Sequence, residues 1–153
     1  MDIVLYQPEI PPNTGNIIRL CANLGARLHL VAPLGFEMDD KRLRRAGLDY
    51  RDLAHVSQHS DWHSCQASFT ARRWLGLSTK GQVRYTDLLY RDDDVLIFGP
   101  ETRGLPPEVL QQLGPEQVLR IPMQPQSRSL NIANAVAVVA FESMRQRGFP
   151  GFV

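Results

Sequence analysis

A chain of 153 residues, 43% hydrophobic and 22% charged, has the make-up of one folded domain over 1–153 and excludes a disordered or fibrous protein. Seventeen Lys and Arg face sixteen Asp and Glu, so the net charge of +1 announces no nucleic-acid binder, and any such role must rest on local patches. Cys21 and Cys65 are too few for a disulfide framework and read as small apolar core residues of a cytoplasmic protein, and the longest apolar run, 135–141, is far short of a membrane span.

Residues 2–6, DIVLY, are apolar and largely β-branched, which predicts a buried strand. Pro8, Pro11 and Pro12 predict a non-helical loop. Asn13 or Thr14 then caps a helix running to Leu24, and Gly25 ends it. Ile17, Ile18, Leu20, Cys21 and Leu24 share one side of that helix, whereas Asn16, Arg19 and Asn23 share the other. Residues 27–32 read as a second strand. Residues 39–46, DDKRLRRA, read as a short helix with acids first and bases last, as its dipole prefers. A short strand at 54–57 and a weak helix at 60–69 follow. Residues 72–79 form a strand ending at the turn Lys80–Gly81, and 84–90 stay undecided. Residues 94–99, DVLIFG, are a buried strand. Pro106 and Pro107 open a helix to Leu113. Residues 117–122 make the last strand, and the last helix runs from Ser129 to Arg147. This alternation predicts an α/β domain, a mostly parallel sheet with helices on both faces.

Ligands of such sheets bind beyond the carboxyl ends of the strands. Three polar loops meet that condition, at 11–19, 99–104 and 121–131, with a smaller strand end at 77–81. The third is dense in hydrogen-bonding side chains: Gln124, Gln126, Ser127, Arg128, Ser129 and Asn131. The helix after it is apolar all round over 135–141, so it must be covered on more than one side. Neither nucleotide-binding glycine motif is present, nor a G-x-S-x-G elbow. His59 and His63 are four apart but lack the Glu of H-E-x-x-H and a third ligand, so no metal site is expected. His29 and His55 read as isolated structural residues.

PPNTGNIIR (11–19), FGPETRG (98–104) and IPM…SRSLNIANA (121–135) resemble, in order and spacing, the three signature motifs of the SPOUT superfamily of RNA methyltransferases. DDKRLRRAGLDY (39–50), LSTKG (77–81) and RQRGFPG (145–151) bring the chain closest to the tRNA wobble-nucleotide enzymes of the TrmL (YibK) type. The resemblance implies an α/β sheet with a C-terminal trefoil knot, a homodimer, and S-adenosyl-L-methionine bound in the knot. It implies methyl transfer to the ribose 2′-hydroxyl of nucleotide 34, a cytidine or modified uridine, in leucine tRNAs held by the anticodon stem-loop. The same transfer on rRNA or another tRNA position, or a silent RNA-binding module, are the alternatives. No membrane and no metal partner is expected.

Residue by residue, Leu77, Gly99, Ile121 and Ser129 match cofactor-contacting positions, with Met123 and Leu130 as neighbours. Gly99 would let a ligand approach the backbone. Ile121, Met123 and Leu130 would pack on a flat adenine, although Ile121 and Leu130 read equally well as core. Arg19 matches the catalytic arginine and would also touch substrate. A guanidinium does not readily give up its proton, so a phosphate clamp or alkoxide stabiliser suits it better than a base. Asn13, Glu101 and Asn131 match the remaining catalytic positions. Each has a second reading: Asn13 as a helix cap, Glu101 as an ion partner of Arg103, Asn131 as a brace for its loop. Ser129 likewise reads as the cap of the last helix. Lys41, Arg42, Arg44 and Arg45 would contact tRNA phosphates or simply form a solvated helix face. Phe141 stands where related sequences commonly carry Tyr, and activity is expected to survive that departure.

Overall fold

Apolar runs become strands that all point one way. The computed structural model describes residues 1–38 and 55–153. Within them lie β1 (Asp2–Tyr6), β2 (Arg27–Val31), β3 (Val56–His59), β4 (Trp74–Leu77), β5 (Val83–Arg84), β6 (Val95–Phe98) and β7 (Val118–Arg120). The helices are α1 (Pro11–Leu24), α2 (Trp62–Ala67), α3 (Pro107–Leu113) and α4 (Ile132–Gln146), with a 3₁₀ turn at Pro115–Gln117. The strands pair in the order β3-β2-β1-β6-β4-β7-β5, every pair parallel. Helices cover both faces, as the alternation predicts. Ile17, Ile18 and Cys21 of α1 and Val136, Val139 and Ala140 of α4 pack on one face with Leu5, Leu28, Leu96 and Leu119. Cys65 of α2 and Val109 and Leu113 of α3 pack on the other with Val4, Val31, Ile97 and Val118. Both cysteines are buried, and burial pushes each thiol up to about 12. Among the described residues, no helix is long and apolar enough to cross a membrane.

Several boundaries differ from expectation, each for a local reason. Pro11 and Pro12 do not break the chain out of helix; they form the first turn of α1. A first-turn residue has no intrahelical use for its N–H, and proline's fixed φ suits the position. The cap is Ile10, with no side-chain bond, so neither Asn13 nor Thr14 has that role. Gly25 does end the helix, in the left-handed conformation (φ 64°). The last helix starts at Ile132, not Ser129, and Asn131 caps it through Ala133 N–H at 2.8 Å. The short strand expected at 54–57 lies at Val56–His59. Asp61 caps α2 by accepting from Ser64 N–H at 2.7 Å. The helix expected at 39–46 lies outside the described residues.

Two features tie the sheet together. The first is a strap. Strand β7 lies between β4 and β5, so residues 78–82 must cross it. Ser78 N–H donates to the Leu119 carbonyl at 2.9 Å. Gly81 comes so near that a Cβ there would stand 2.5 Å from the Leu119 carbonyl carbon. The second is a charge cluster at the amino ends of the strands. The buried Asp2 accepts from Arg27 at 2.7 and 2.9 Å and from Arg72 at 3.0 Å, and meets His29 Nε2 at 3.1 Å. His29 Nδ1 lies 3.0 Å from His59 Nε2, so His29 is structural but not isolated. Burial alone would raise the Asp2 carboxyl, yet the bonds from His29, Arg27 and Arg72 outweigh it and hold it well below the usual carboxylate range. Beside it, buried Asp94 accepts from Arg73 at 2.7 and 2.6 Å and from Arg91 N–H at 2.7 Å.

Candidate active site

The carboxyl ends of the strands carry the predicted loops, and side chains lock those loops to one another. Glu101, after β6, accepts from the backbone N–H of Glu9 at 2.8 Å and of Ile10 at 3.2 Å. The same carboxylate accepts from Asn13 Nδ2 at 3.2 Å. Asn13 Oδ1 in turn accepts from Asn131 Nδ2 at 2.8 Å. One chain of hydrogen bonds therefore runs from the loop after β6, through the first turn of α1, to the cap of α4. Asn13 is buried although polar, which these two bonds make tolerable. The ion pair considered for Glu101 and Arg103 is not formed; Arg103 donates to Gln7 Oε1 at 2.8 Å. Glu9 closes the arrangement from the other side. Its carboxylate accepts from Thr102 N–H at 3.0 Å and Thr102 Oγ1 at 2.8 Å, and these bonds hold it below the ordinary glutamate range. Neither Glu9 nor Thr102 was singled out in the sequence, although Thr102 lies inside FGPETRG and Glu9 two residues before PPNTG. What the motif could not show is that the two face each other.

Between these loops is a cavity of about 610 Å³. Leu77, Gly99, Ile121, Met123, Ser129 and Leu130, the six expected cofactor positions, all line it. So do Asn13, Glu101 and Asn131. Ser78, Thr79 and Lys80 of the strap add a wall that the sequence indicated only as a strand end. Phe98 and Leu105 are buried beneath, whereas Ile10, Met123 and Leu130 are large apolar side chains left exposed at its mouth. Gly99 has a further reason to be glycine beside the one expected. A Cβ there would stand 2.2 Å from Gly104 C and Leu105 N, so its own loop makes the close approach. Gly104 N–H then donates to the Pro100 carbonyl at 2.9 Å, closing that loop.

Arg19 does not join the cavity wall. It is exposed on α1, six residues beyond Asn13 and so roughly 9 Å along the helix axis. It shares that face with Asn16 and Asn23, as the helical spacing predicts. Phe141 also lies outside the wall, 40% exposed on α4. Lys41, Arg42, Arg44 and Arg45 fall outside the described residues. Among the described residues no cluster of three or more His, Cys, Asp or Glu could hold a metal ion.

The pattern of the SpoU rRNA methylase family matches residues 1–141. The chain belongs to that family. It is 56% identical over 152 residues to a tRNA (cytidine(34)-2'-O)-methyltransferase of Methylovorus glucosotrophus, covering 99% of each chain. Its fold superimposes with a TM-score of 0.87, at 42% identity, on a structure described as giving insight into 2-OH methylation of C/U34 on tRNA; 96% of this chain and 90% of that one are covered. An S-adenosylmethionine-bound rRNA methyltransferase from Sinorhizobium meliloti matches at 26% identity with a TM-score of 0.81, over 94% of this chain and 55% of that one. As a SpoU-family methyltransferase, the chain uses S-adenosylmethionine as methyl donor. The cavity suits that molecule. It has the size of a small-molecule site, apolar side chains for a flat ring, and hydroxyl and amide groups for the polar remainder.

Proposed function

We propose that this chain methylates the ribose 2′-hydroxyl of nucleotide 34, cytidine or modified uridine, in tRNA, with leucine tRNAs as its substrates. The reading is carried by one observation: the three motif loops converge on one cavity in a chain 56% identical, end to end, to a protein named for that reaction. The family's own label speaks of rRNA, but that label is broad, and the near-full-length identity is to the tRNA enzyme.

S-adenosylmethionine supplies an activated methyl group. Leu77, Ile121, Met123 and Leu130 would hold its ring, and Ser129 and the backbone beside Gly99 its polar edges. Asn13, Glu101 and Asn131 keep the three loops in mutual register. Their hydrogen-bonding groups face one another, so they act on the reaction by holding the cradle in shape. Arg19 keeps its proton and acts by charge, holding a phosphate or stabilising the ribose oxygen as it becomes anionic.

A homodimer belongs to the same reading. Val138 and Phe141, three apart and so on one face of α4, are exposed apolar residues, and Leu130 and Ile10 are exposed as well. A second copy would cover them. A trefoil knot belongs to the same reading, supported by the strap that crosses β7. The anticodon stem-loop would be met in the cytoplasm.

The test is methylation of total tRNA from a strain lacking its wobble 2′-O-methyltransferase, followed by nucleoside analysis and position mapping. The expected product is a 2′-O-methylated nucleotide at position 34. Methyl on a base, at another position, or only on rRNA would overturn the proposal.

A further inference from the structure

The basic residues divide between the two ends of the sheet. At the amino ends, Arg27 and Arg72 are tied to Asp2, and Arg73 to Asp94. On and after α4, Arg145 and Arg147 are tied to Glu142 and Asp92. The carboxyl ends differ. Among the described residues, Lys80, Arg84, Arg103, Arg120 and Arg128 form no ion pair.

Arg84 and Arg120 are register partners on β5 and β7, and each is the last residue of its strand. Partners on adjacent parallel strands point to the same face, with backbones about 4.8 Å apart. Like charges so placed repel and destabilise the pairing. No local acid relieves them: Asp87, the next acid along the chain from Arg84, accepts from Thr86 Oγ1 at 3.1 Å and forms no ion pair among the described residues. Both arginines are exposed, and β5 is the edge of the sheet. They lie at the end of the sheet that opens on the cavity. Ile121, next after Arg120, lines it, and Lys80 stands in its wall on the strap leading to β5. Of the acids at this end, Glu9 and Glu101 follow β1 and β6 in the middle of the sheet and are held on loop donors, and Asp87 follows β5. On the β7 and β5 side, among the described residues, Lys80, Arg84, Arg120 and Arg128 outnumber Asp87.

We propose that this corner, Arg84 beside Arg120 and continued into the cavity wall by Lys80, docks backbone phosphates of the tRNA substrate, apart from any contact made by residues 41–45. The proposal rests on the function given above. Two neighbouring guanidinium groups suit phosphate oxygens, which they bind in a bidentate fashion. Such contacts fix the register of the RNA without reading its sequence. They would hold the substrate across the mouth of the cavity from the β5 side.

The experiment compares the full chain with Arg84→Gln/Arg120→Gln and Arg84→Lys/Arg120→Lys, by anisotropy with labelled tRNA at several salt concentrations and by steady-state methylation. The glutamine pair should weaken tRNA binding about tenfold near 0.1 M salt. It should also flatten the slope of log Kd against log salt by about 1.5, the loss of two phosphate contacts. KM for tRNA should rise while kcat at saturating tRNA and the affinity for S-adenosylmethionine hold. The lysine pair should restore the slope. An unchanged slope and affinity in the glutamine pair would overturn the proposal. So would a parallel loss of S-adenosylmethionine affinity, or the same loss of binding to an acidic protein as to tRNA. A wild-type chain that shows the slope but leaves nucleotide 34 unmethylated would remove the proposed function and keep the surface. One that binds no tRNA would remove both.

Discussion

Glu101 and Arg19 come from neighbouring motifs, and their surroundings assign them opposite kinds of work. Glu101 is turned inward, on two backbone N–H groups and Asn13. Glutamine in its place retains one acceptor oxygen and brings an unwanted donor. Glu101→Gln should therefore cost about 1–2 kcal/mol of stability. It should also weaken S-adenosylmethionine binding several-fold by calorimetry, with kcat at saturating cofactor falling less. Arg19 is exposed on α1 and is not among the residues that line the cavity. Arg19→Ala should leave cofactor affinity intact and lower kcat about 100-fold or more, the usual effect of removing a charge that meets the developing anion. Normal turnover in that variant would end its assignment to the reaction. The sequence marked both residues by motif position, and the helical spacing placed Arg19 correctly with Asn16 and Asn23. It could not show that Asn13 and Asn131 touch, because they are 118 residues apart and nothing local encodes the pair.

At the scale of elements, α4 has two unlike sides. Val136, Val139, Ala140 and Met144 are buried against the sheet and α1, while Val138 and Phe141 are 37% and 40% exposed. The all-apolar sequence of this helix gives the expectation that more than one side is covered. The described structure covers one. Val138→Asp should give a monomer by light scattering, with the fold retained by circular dichroism and methyl transfer lost. Phe141→Tyr adds a hydroxyl on the exposed face of α4, away from the cavity wall, and should leave kcat within about twofold of the unaltered chain. Strand and helix identities were legible because β-branched runs alternate with periodic ones. Boundaries were less so. Pro11 and Pro12 are chemically identical to loop prolines, and only their place in the first turn, where an N–H is dispensable, makes them helical.

Across the whole molecule, the buried Asp2 carboxylate at the amino ends of the strands couples the fold to pH. The Asp2 carboxyl is depressed in the folded state by His29, Arg27 and Arg72 against the opposing effect of burial. A depressed carboxylate stabilises the fold fully above its unfolded value near 4, and that contribution is lost as pH falls through and below it. Urea unfolding followed from pH 7 to pH 3 should show stability dropping steeply below about pH 4. Asp2→Asn should cost about 2 kcal/mol at neutral pH, because the buried position loses its charge-assisted bonds from Arg72 and from the largely exposed Arg27, and should flatten the acid limb. In the sequence, Asp2 was only the polar first residue of a strand. Its partners come from β2 and from the residue pair before β4, so the cluster exists only once the strand order does. That order was the least legible property. Parallel strands of similar composition carry no mark of their neighbours, and the placement of β7 between β4 and β5 is set by a crossing that ordinary chain topology avoids.

That crossing also sets a sequence of events. During synthesis β4, the strap and β5 emerge before β7, yet β7 is the strand that must lie between them. The half of the sheet from β3 to β4 can assemble as soon as β6 is made. The other half is complete only when Val118–Arg120 is in place, because β7 pairs with β4 on one side and is the strand that holds β5 on the other. Residues 121–131, which close the cavity, follow at once. Until residues 121–131 are made, the cavity lacks Ile121, Met123, Ser129, Leu130 and Asn131, the wall opposite the loop after β6.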